Sequence, residues 1–291
     1  PVERAMYIHR AAAIARRRMF ELSAVQILEV GKQWDQAFHD VGEGIDFLEY
    51  YARDMMRLSV PRRMGRAPGE TNTLFYQPKG IAAIISPWNF PFAIAIGMVS
   101  AAIVTGNPVI FKPASIASAV GYGLTEIFKE AGLPAGVFNF CPGKSSVMGD
   151  YLVEHPDISL IGFTGSMDVG LHIVEKAAKV QPGQRQVKRV IAEMGGKNAA
   201  IIFEDADFDA AIEGTLRSAF VNSGQVCLGT ERVYVQRPIF DKFVAELKKQ
   251  VEGWKIGLPE DADTKLGPVI SKEHQAKVLS YYQLAVQEGA T

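Results

Sequence analysis

The sequence predicts an α/β fold in which helices cover both faces of a parallel sheet. Short apolar runs alternate with helical patterns along much of the chain, and glycines and prolines stand between them. Strands of a parallel sheet are buried on both faces, so they read as continuous apolar runs. The chain has 291 residues, 48% hydrophobic and 22% charged, which suits a globular protein of one large or two moderate domains.

The N-terminal region predicts helices followed by a strand. Apolar residues recur at every third or fourth position through residues 2–58, which is the helical period. Prolines and glycines between residues 61 and 69 end this region. Residues 71–76 favour a strand, and residues 77–80 favour a turn.

From residue 81 onwards strands and helices alternate, as they do when crossover helices join parallel strands. The predicted strands cover residues 81–85, 108–111, 137–140, 160–163 and 189–192. The predicted helices between them cover residues 92–105, 115–131, 147–154 and 168–179.

After Gly196 the pattern starts again, which predicts a second domain. Strands are expected over residues 199–203 and 232–235, and helices over residues 206–222, 239–251 and 272–288. We place the domain boundary at the paired glycines, with one domain over residues 1–196 and the first part of another over residues 197–291.

Bulk properties exclude several classes of partner. A net charge of −1 gives no field that would attract nucleic acid, and the basic run at residues 62–66 is short and lacks aromatic residues. The most apolar stretch, residues 90–104, falls short of the ~20 residues that span a bilayer and predicts a buried helix. Having only Cys141 and Cys227 indicates a reducing compartment, so we expect a cytoplasmic protein.

Cys227 is the candidate nucleophile. A free cysteine is by default inert core filler, and we interpret Cys141 in that way. The neighbours of Cys227 include Ser223, Gly224 and Gly229, small residues that suit an exposed loop between a helix and a strand. In such a loop the pKa of a thiol can fall below about 8.5, which raises the thiolate population.

Glu193 is the candidate base. It ends an apolar strand just before Gly195 and Gly196, which lack side chains and leave the backbone open to a substrate or cofactor. A carboxylate partly desolvated at this place would have a raised pKa and act as a base near neutral pH. The alternative is a solvated carboxylate at a strand end.

Two further runs stand out. Phe163, Thr164, Gly165 and Ser166 follow a predicted strand and open a helix, where main-chain N–H groups bind phosphate. Asn89 lies in the run Ser86-Pro87-Trp88-Asn89-Phe90-Pro91, and on residue type alone it is a turn asparagine.

Together, the runs around Asn89, Gly165, Glu193 and Cys227 resemble the aldehyde dehydrogenase superfamily in order and spacing, across essentially the whole chain. The resemblance implies a Rossmann-type sheet domain and the start of an α/β catalytic domain, within a longer protein that forms homo-oligomers. It implies that Cys227 attacks the aldehyde, that Asn89 and the Cys227 N–H bind the oxyanion, and that Glu193 activates water.

The resemblance also implies an NAD site. Lys112 would contact the adenosine ribose hydroxyls, and NAD is the preferred cofactor. Ser115 stands where the family often has a glutamate, and a serine does not repel a 2′-phosphate as a carboxylate would, so NADP stays open. The five histidines lack metal-ligand spacing, so no metal is expected. The implied cofactor-binding residues are Trp88, Lys112, Ser115, Gly143, Gly149, Phe163, Thr164, Gly165, Ser166 and Gly195.

The substrate remains open between two acidic aldehydes. Residues 46–53 and 180–184 resemble the pyrroline-5-carboxylate dehydrogenase branch. Leu228 follows Cys227 where that branch has serine, and residues 225–235 are similar to hydroxymuconic or aminomuconic semialdehyde dehydrogenases. Two alternatives to hydrolytic aldehyde oxidation are transfer of the acyl group to coenzyme A and a non-catalytic binding or structural role on the same scaffold.

Overall fold

A computed structural model describes residues 1–290. The chain forms two compact units. The first unit comprises Pro1–Glu29 and Ala37–Met194, and the second comprises Val30–Gln36 and Gly195–Thr291. Val30–Gln36 therefore belongs with the C-terminal part of the chain, which the sequence did not indicate.

The helical region predicted over residues 2–58 consists of three helices. These are α1 (Val2–Arg17), α2 (Met19–Val30) and α3 (Trp34–Leu58). The break between α2 and α3 begins at Gly31, whose φ of +71° is left-handed and favours glycine.

An antiparallel ribbon follows α3. It consists of β1 (Arg62–Met64) and β2 (Asn72–Leu74), and Arg62 pairs with Leu74. The sequence predicted a strand over residues 71–76 but not β1. Every residue of both strands is exposed, so neither strand has a buried face that would give it an apolar pattern.

The predicted parallel sheet is confirmed, with strand order β5-β4-β3-β6-β7 and every neighbouring pair parallel. Its strands are β3 (Ile81–Ile85), β4 (Val109–Lys112), β5 (Phe138–Phe140), β6 (Ile158–Thr164) and β7 (Arg189–Glu193). The connecting helices are α4 (Ala93–Val104), α5 (Ser118–Glu130), α6 (Ser145–Glu154) and α7 (Met167–Ala178).

Both faces of this sheet are buried. Ala82 and Ile84 of β3 belong to a core that also contains residues of α1, α3, α4 and α5. Ala83, which points to the opposite face, belongs to a second core with residues of β6, α6 and α7. This two-sided burial explains why the strands read as continuous apolar runs.

Helix α4 is anchored closely against α3. The Asp40 carboxylate of α3 accepts a hydrogen bond from the Ala93 N–H at 2.9 Å, and so satisfies a donor at the start of α4. A Cβ on Gly44 would lie 2.6 Å from Phe92 Cε1, and a Cβ on Gly97 would lie 2.9 Å from Phe47 Cδ2. The two glycines therefore allow a contact that larger residues would prevent.

Lys112, the last residue of β4, is a buried cation at 2% exposure. Its Nζ donates to the Pro113 carbonyl at 3.2 Å. Burial lowers the pKa of Lys112, and the negative charge that Cys141 carries when ionised opposes this shift. A lysine after an apolar strand is more often solvated, so the sequence alone did not indicate that Lys112 is buried.

Over residues 195–290 the second unit contains a parallel pair of strands and three α-helices. Ile212, Leu216 and Phe243 form its core, and the Asp207 carboxylate caps the helix α8 (Phe208–Phe220). The helix predicted over residues 206–222 ends two residues earlier and continues as a 3₁₀ turn. The elements are β8 (Asn198–Ile202), α8 (Phe208–Phe220), β9 (Thr230–Val235), α9 (Phe240–Glu252) and α10 (Lys272–Gln287).

Within residues 1–290, no helix has both the length and the apolar character needed to cross a lipid bilayer.

Substitution of two helical glycines by alanine should change the free energy of unfolding in opposite directions. Gly44→Ala forces a methyl group against Phe92, so we expect it to lower the free energy of unfolding by about 1–3 kcal/mol. Gly214 in α8 has nothing within 4 Å of an added Cβ, so Gly214→Ala should raise that free energy by up to about 1 kcal/mol. Thermal and urea unfolding measure both. A stabilising Gly44→Ala would contradict the packing at this helix contact.

Lys112→Met removes the cost of burying an ammonium group. Because the folded pKa lies below the ordinary value of 10.5, the unfolded chain binds more protons than the folded chain between those two values. The free energy of unfolding therefore rises with pH across that window. Urea unfolding at pH 7 and pH 10 measures both proteins. At pH 7 the free energy of unfolding of Lys112→Met should exceed that of the parent by about 1 kcal/mol, and it should rise less than the parent's between pH 7 and pH 10. If the free energy of unfolding of Lys112→Met rose with pH as much as the parent's, the burial of a charged Lys112 would not be the cause.

Candidate active site

The carboxyl ends of the five parallel strands define the candidate site of the first unit. Neighbouring strands β3 and β6 are followed by α4 and α7, whose residues enter the two different cores on opposite faces of the sheet. The chain therefore leaves these two neighbouring strands towards opposite faces, which makes their carboxyl ends a topological switch point, the place where open α/β sheets bind ligands. The loops after β3, β4 and β6 and the last residue of β7 carry most of the predicted site residues of this unit.

Asn89 lies in the loop from β3 to α4. The Ser86 N–H donates to the Lys112 carbonyl at 3.2 Å, which continues the strand pairing by one residue. Trp88 and Asn89 are half-buried, and α4 begins at Ala93 under the Asp40 cap. The loop is thus fixed at both ends, and Asn89 lies at the carboxyl end of β3. Its role towards an oxyanion stays a prediction.

The turn from β6 to α7 lies beside Glu193. Thr164 pairs with Glu193 across the sheet, and the Gly165 N–H donates to the Glu193 carbonyl at 3.0 Å. A Cβ on Gly165 would lie 2.6 Å from the ring of Phe163, which is buried, so glycine is needed here. Ser166 is exposed immediately before α7. The predicted phosphate turn and the predicted base are therefore neighbours.

The loops after β4 and β5 are joined by a hydrogen bond from Ser115 Oγ to the Gly143 carbonyl at 3.1 Å. A Cβ on Gly143 would lie 2.5 Å from Met148 Sδ, so a larger residue there would have to displace the Met148 side chain. Gly149 has ordinary room, with Ser145 Cβ at 3.9 Å, and nothing in the structure demands glycine there.

The glycines after β7 differ from each other. An added Cβ on Gly195 meets nothing within 4 Å, which leaves its backbone open to approach. A Cβ on Gly196 would lie 2.9 Å from Asn198 Oδ1, so the absence of a side chain there makes room for the Asn198 amide. Glu193 itself is exposed, so residues 1–290 do not provide the desolvation expected of it.

Cys227 is half-buried in a tight turn of the second unit. The Gly229 N–H donates to the Val226 carbonyl at 3.1 Å and closes the turn. Asn222 and Ser223, just upstream, have φ of 52° and 56°, a left-handed conformation that costs about 1–2 kcal/mol for most residues. The loop is thus structured and strained.

Side-chain hydrogen bonds hold this strained segment against residues 264–270. Ser223 Oγ donates to the Gly267 carbonyl at 2.9 Å, and Gln225 Oε1 accepts from the Ile270 N–H at 2.9 Å. Gln33 Nε2 in turn donates to the Lys265 carbonyl at 2.8 Å. Sequence reasoning missed these partners because they lie far apart in the chain and follow no local pattern.

Asn198, the first residue of β8, is a second feature that the sequence analysis missed. Its Nδ2 donates to the Cys227 carbonyl at 3.0 Å and to the Gly229 carbonyl at 3.1 Å. Asn198 comes directly after the run Glu193–Lys197, and this position in the sequence is the signal that could have identified it.

The structure thus gathers one group of predicted residues in each unit. Asn89, Lys112, Gly165 and Glu193 share the carboxyl edge of the sheet in the first unit, and Cys227 lies in the second. In residues 1–290 no three histidine, cysteine, aspartate or glutamate side chains form a group that could hold a metal ion.

Curated relatives share nearly all of this chain. It is 49% identical over 292 residues to the 1-pyrroline-5-carboxylate dehydrogenase of Anoxybacillus flavithermus, an alignment covering 99% of this chain and 56% of the relative. It is 46% identical over 289 residues to 1-pyrroline-5-carboxylate dehydrogenase 2 of Bacillus subtilis, with the same coverage. The chain therefore spans just over half the length of these relatives.

Solved structures also share nearly all of this chain. The 1-pyrroline-5-carboxylate dehydrogenase from Thermus with bound NAD has a TM-score of 0.96 and 44% identity over 98% of this chain and 55% of its own. Betaine aldehyde dehydrogenase from Staphylococcus aureus in complex with NAD+ has a TM-score of 0.94 and 31% identity over 99% of this chain and 56% of its own. Residues 1–291 match the model of the "Aldehyde dehydrogenase family". The chain belongs to the aldehyde dehydrogenase family.

Proposed function

We propose that the protein oxidises an aldehyde to a carboxylic acid through a thioester on Cys227. The observation that carries the proposal is the constrained turn of Cys227, in a chain that matches the aldehyde dehydrogenase family throughout. A strained, hydrogen-bonded turn keeps a nucleophile in one orientation, which is the main requirement for attack on a carbonyl carbon.

The first steps use Cys227 and Asn89. The Cys227 thiolate attacks the aldehyde carbon, a C–S bond forms, and the oxygen becomes an alkoxide. The Asn89 amide and the Cys227 N–H donate hydrogen bonds to that oxygen, and one such donor is worth about 3–4 kcal/mol in the transition state. When the alkoxide collapses, a hydride leaves the carbon and a thioester remains.

Glu193 completes the reaction by taking a proton from water, which attacks the thioester. The C–S bond breaks, the acid is released, and the Cys227 thiolate is restored. The exposed side chain of Glu193 at the end of β7 is accessible to water. A desolvated environment would require an approaching substrate, cofactor or further protein segment.

The residues fit NAD, which accepts the hydride when bound. The switch point between β3 and β6 and the close Gly165 turn at the start of α7 are features of a dinucleotide site. The backbone of Gly195, in the second unit, is open to the approach of a cofactor. Lys112 and Ser115 would face the adenosine ribose, and Trp88, Phe163, Thr164, Ser166, Gly143 and Gly149 would complete the site. Ser115 carries no charge against a 2′-phosphate, so NADP is the alternative. Titration of NAD against NADP measures the preference.

We propose glutamate semialdehyde, the open form of 1-pyrroline-5-carboxylate, as the substrate. The curated relatives described above carry that dehydrogenase name at 46–49% identity. Leu228 favours a second candidate, 2-hydroxymuconic semialdehyde, since it follows Cys227 where serine is expected, and its side chain is 72% exposed. Comparing kcat/KM for the two aldehydes on the whole protein decides between them.

We also propose a cytoplasmic homo-oligomer. The β1–β2 ribbon exposes all of its residues, and an isolated two-stranded ribbon is at best marginally stable in water. Leu74, Phe75 and Tyr76 are 42%, 58% and 60% exposed, and a second copy would cover such an apolar run. Light scattering on the whole protein gives its mass in solution.

Cys227→Ala should abolish aldehyde-dependent NAD reduction by the whole protein. Loss of a covalent nucleophile costs at least about 1,000-fold in kcat. The matched control is Cys141→Ala, which removes the other free cysteine and should keep parent activity. Activity retained in Cys227→Ala would refute the mechanism and favour a role without covalent catalysis.

Glu193→Gln should form the thioester but hydrolyse it slowly. Stopped-flow measurement should show a burst of about one NADH per active site, followed by a steady rate at least about 100-fold below that of the parent. Added coenzyme A should leave the parent's product unchanged as the free acid. An acyl-coenzyme A product would show instead that the protein transfers its acyl group, and Glu193 would then not be a hydrolytic base.

A further inference from the structure

We propose that Asn198 is a positioning residue that holds the Cys227 turn in its reactive conformation. The inference rests on the proposed function in one respect, because it takes Cys227 as the nucleophile. Asn198 would act through the main chain of the turn and not on the substrate.

The geometry of the contact carries the proposal. The single Nδ2 atom of Asn198 donates to the Cys227 carbonyl at 3.0 Å and to the Gly229 carbonyl at 3.1 Å. An amide NH₂ has two hydrogens, so one group satisfies both carbonyls at once. These carbonyls lie on either side of Leu228, inside the turn that the Gly229 N–H closes onto Val226. The amide therefore fixes the main chain on the C-terminal side of Cys227.

The strand pairing explains why a side chain takes this role. Asn198 pairs with Thr230, but Ala199 pairs with Arg232, so the ladder shifts register at the start of β8. Such an irregularity interrupts the regular ladder of main-chain hydrogen bonds. Here the Asn198 side chain bonds the main chain just before β9 begins at Thr230.

Gly196 supports the same inference from a different observation. A Cβ at this position would lie 2.9 Å from Asn198 Oδ1 and 3.0 Å from Asn198 Nδ2. Real Cβ atoms do not approach that closely, so any larger residue would displace the amide. The glycine thus leaves room for the amide beside the turn.

The turn needs an external hold because its N-terminal side is strained. Asn222 and Ser223 both have left-handed φ, and Ser223 bonds Gly267 from that conformation. The segment is therefore held from both ends: residues 267–270 bind its N-terminal half, and Asn198 binds its C-terminal half. Release of either end would let the Cys227 main chain relax.

Two variants of Asn198 separate hydrogen bonding from space filling. Asn198→Asp keeps the shape but replaces the donor group with an oxygen that faces two carbonyls, and Asn198→Ala removes the side chain. For both variants in the whole protein we expect kcat to fall by about 100-fold, as for a misplaced reacting group, with KM for NAD unchanged within about twofold. If Asn198 only filled space, Asn198→Asp would keep the parent's kcat, and the proposal would be wrong.

Hydrogen exchange measures the hold on the turn without using the activity. In both variants, exchange in the peptide spanning residues 222–230 should be about tenfold faster than in the parent, as expected for the loss of two hydrogen bonds. Peptides from β3 to β6 should be unchanged. Parent-like exchange at residues 222–230 would overturn the proposal. Fast exchange with parent-like kcat would also overturn it, because the turn would then not need positioning.

A matched control exists in the first unit. Asn139 Nδ2 also donates to two main-chain carbonyls, Val109 at 3.1 Å and Gly136 at 2.9 Å. Asn139→Ala should leave both kcat and exchange at residues 222–230 unchanged. If Asn139→Ala lowered kcat as much as Asn198→Ala, general destabilisation would explain the loss and the proposal would fail.

A double-mutant cycle links Gly196 to Asn198. Gly196→Ala should lower kcat by about tenfold by displacing the amide, yet add less than about twofold in the Asn198→Ala background. If the two substitutions lowered kcat additively, Gly196 would act independently of Asn198, and its close approach to the amide would no longer support the proposal. Turnover by Cys227→Ala would refute the proposed function instead, while hydrogen exchange would still decide whether Asn198 holds the turn.

Discussion

The pairing of β3 with both β4 and β6 is the constraint on which the candidate site depends. Ile85, the last residue of β3, lies level with Lys112 on one side and with Phe163 on the other. The loops that carry Asn89 and Gly165 therefore begin at the same height of the sheet. Thr164 then pairs with Glu193, which brings the end of β7 to the same edge. One register thus determines where four functional segments start.

That register was predictable only in outline. The apolar runs and the glycines between them predicted every strand of the large sheet, since burial on both faces leaves a strong local signal. The ends of elements differed by up to three residues because caps depend on distant partners. The Glu29 carboxylate, for example, accepts from the N–H groups of Ala119 and Val120 near the start of α5. No pattern near residue 118 reveals that contact.

The parts that sequence reasoning missed share a physical cause. β1 has no buried face, the place of Val30–Gln36 in the second unit depends on contacts such as that between Gln33 and Lys265, and the burial of Lys112 depends on the packing around it. For Glu193 the sequence correctly predicted a strand end but predicted a desolvation that residues 1–290 do not provide. Local patterns report local burial, so they miss a strand with no buried face and do not show features that depend on long-range contacts.

The hydrogen bonds that the structure gives to the Cys227 and Gly229 carbonyls come from a neutral amide, and this choice of group has chemical consequences. A lysine could donate to the same carbonyls, but its charge would stabilise the thiolate and lower the thiol pKa. The nucleophilicity of each thiolate falls as its pKa falls, so a cation would lower the reactivity of the thiolate while raising its population. An aspartate would repel both carbonyls and oppose thiolate formation. Asparagine fixes the geometry of the turn without either penalty, which is the property required of a residue that positions a nucleophile.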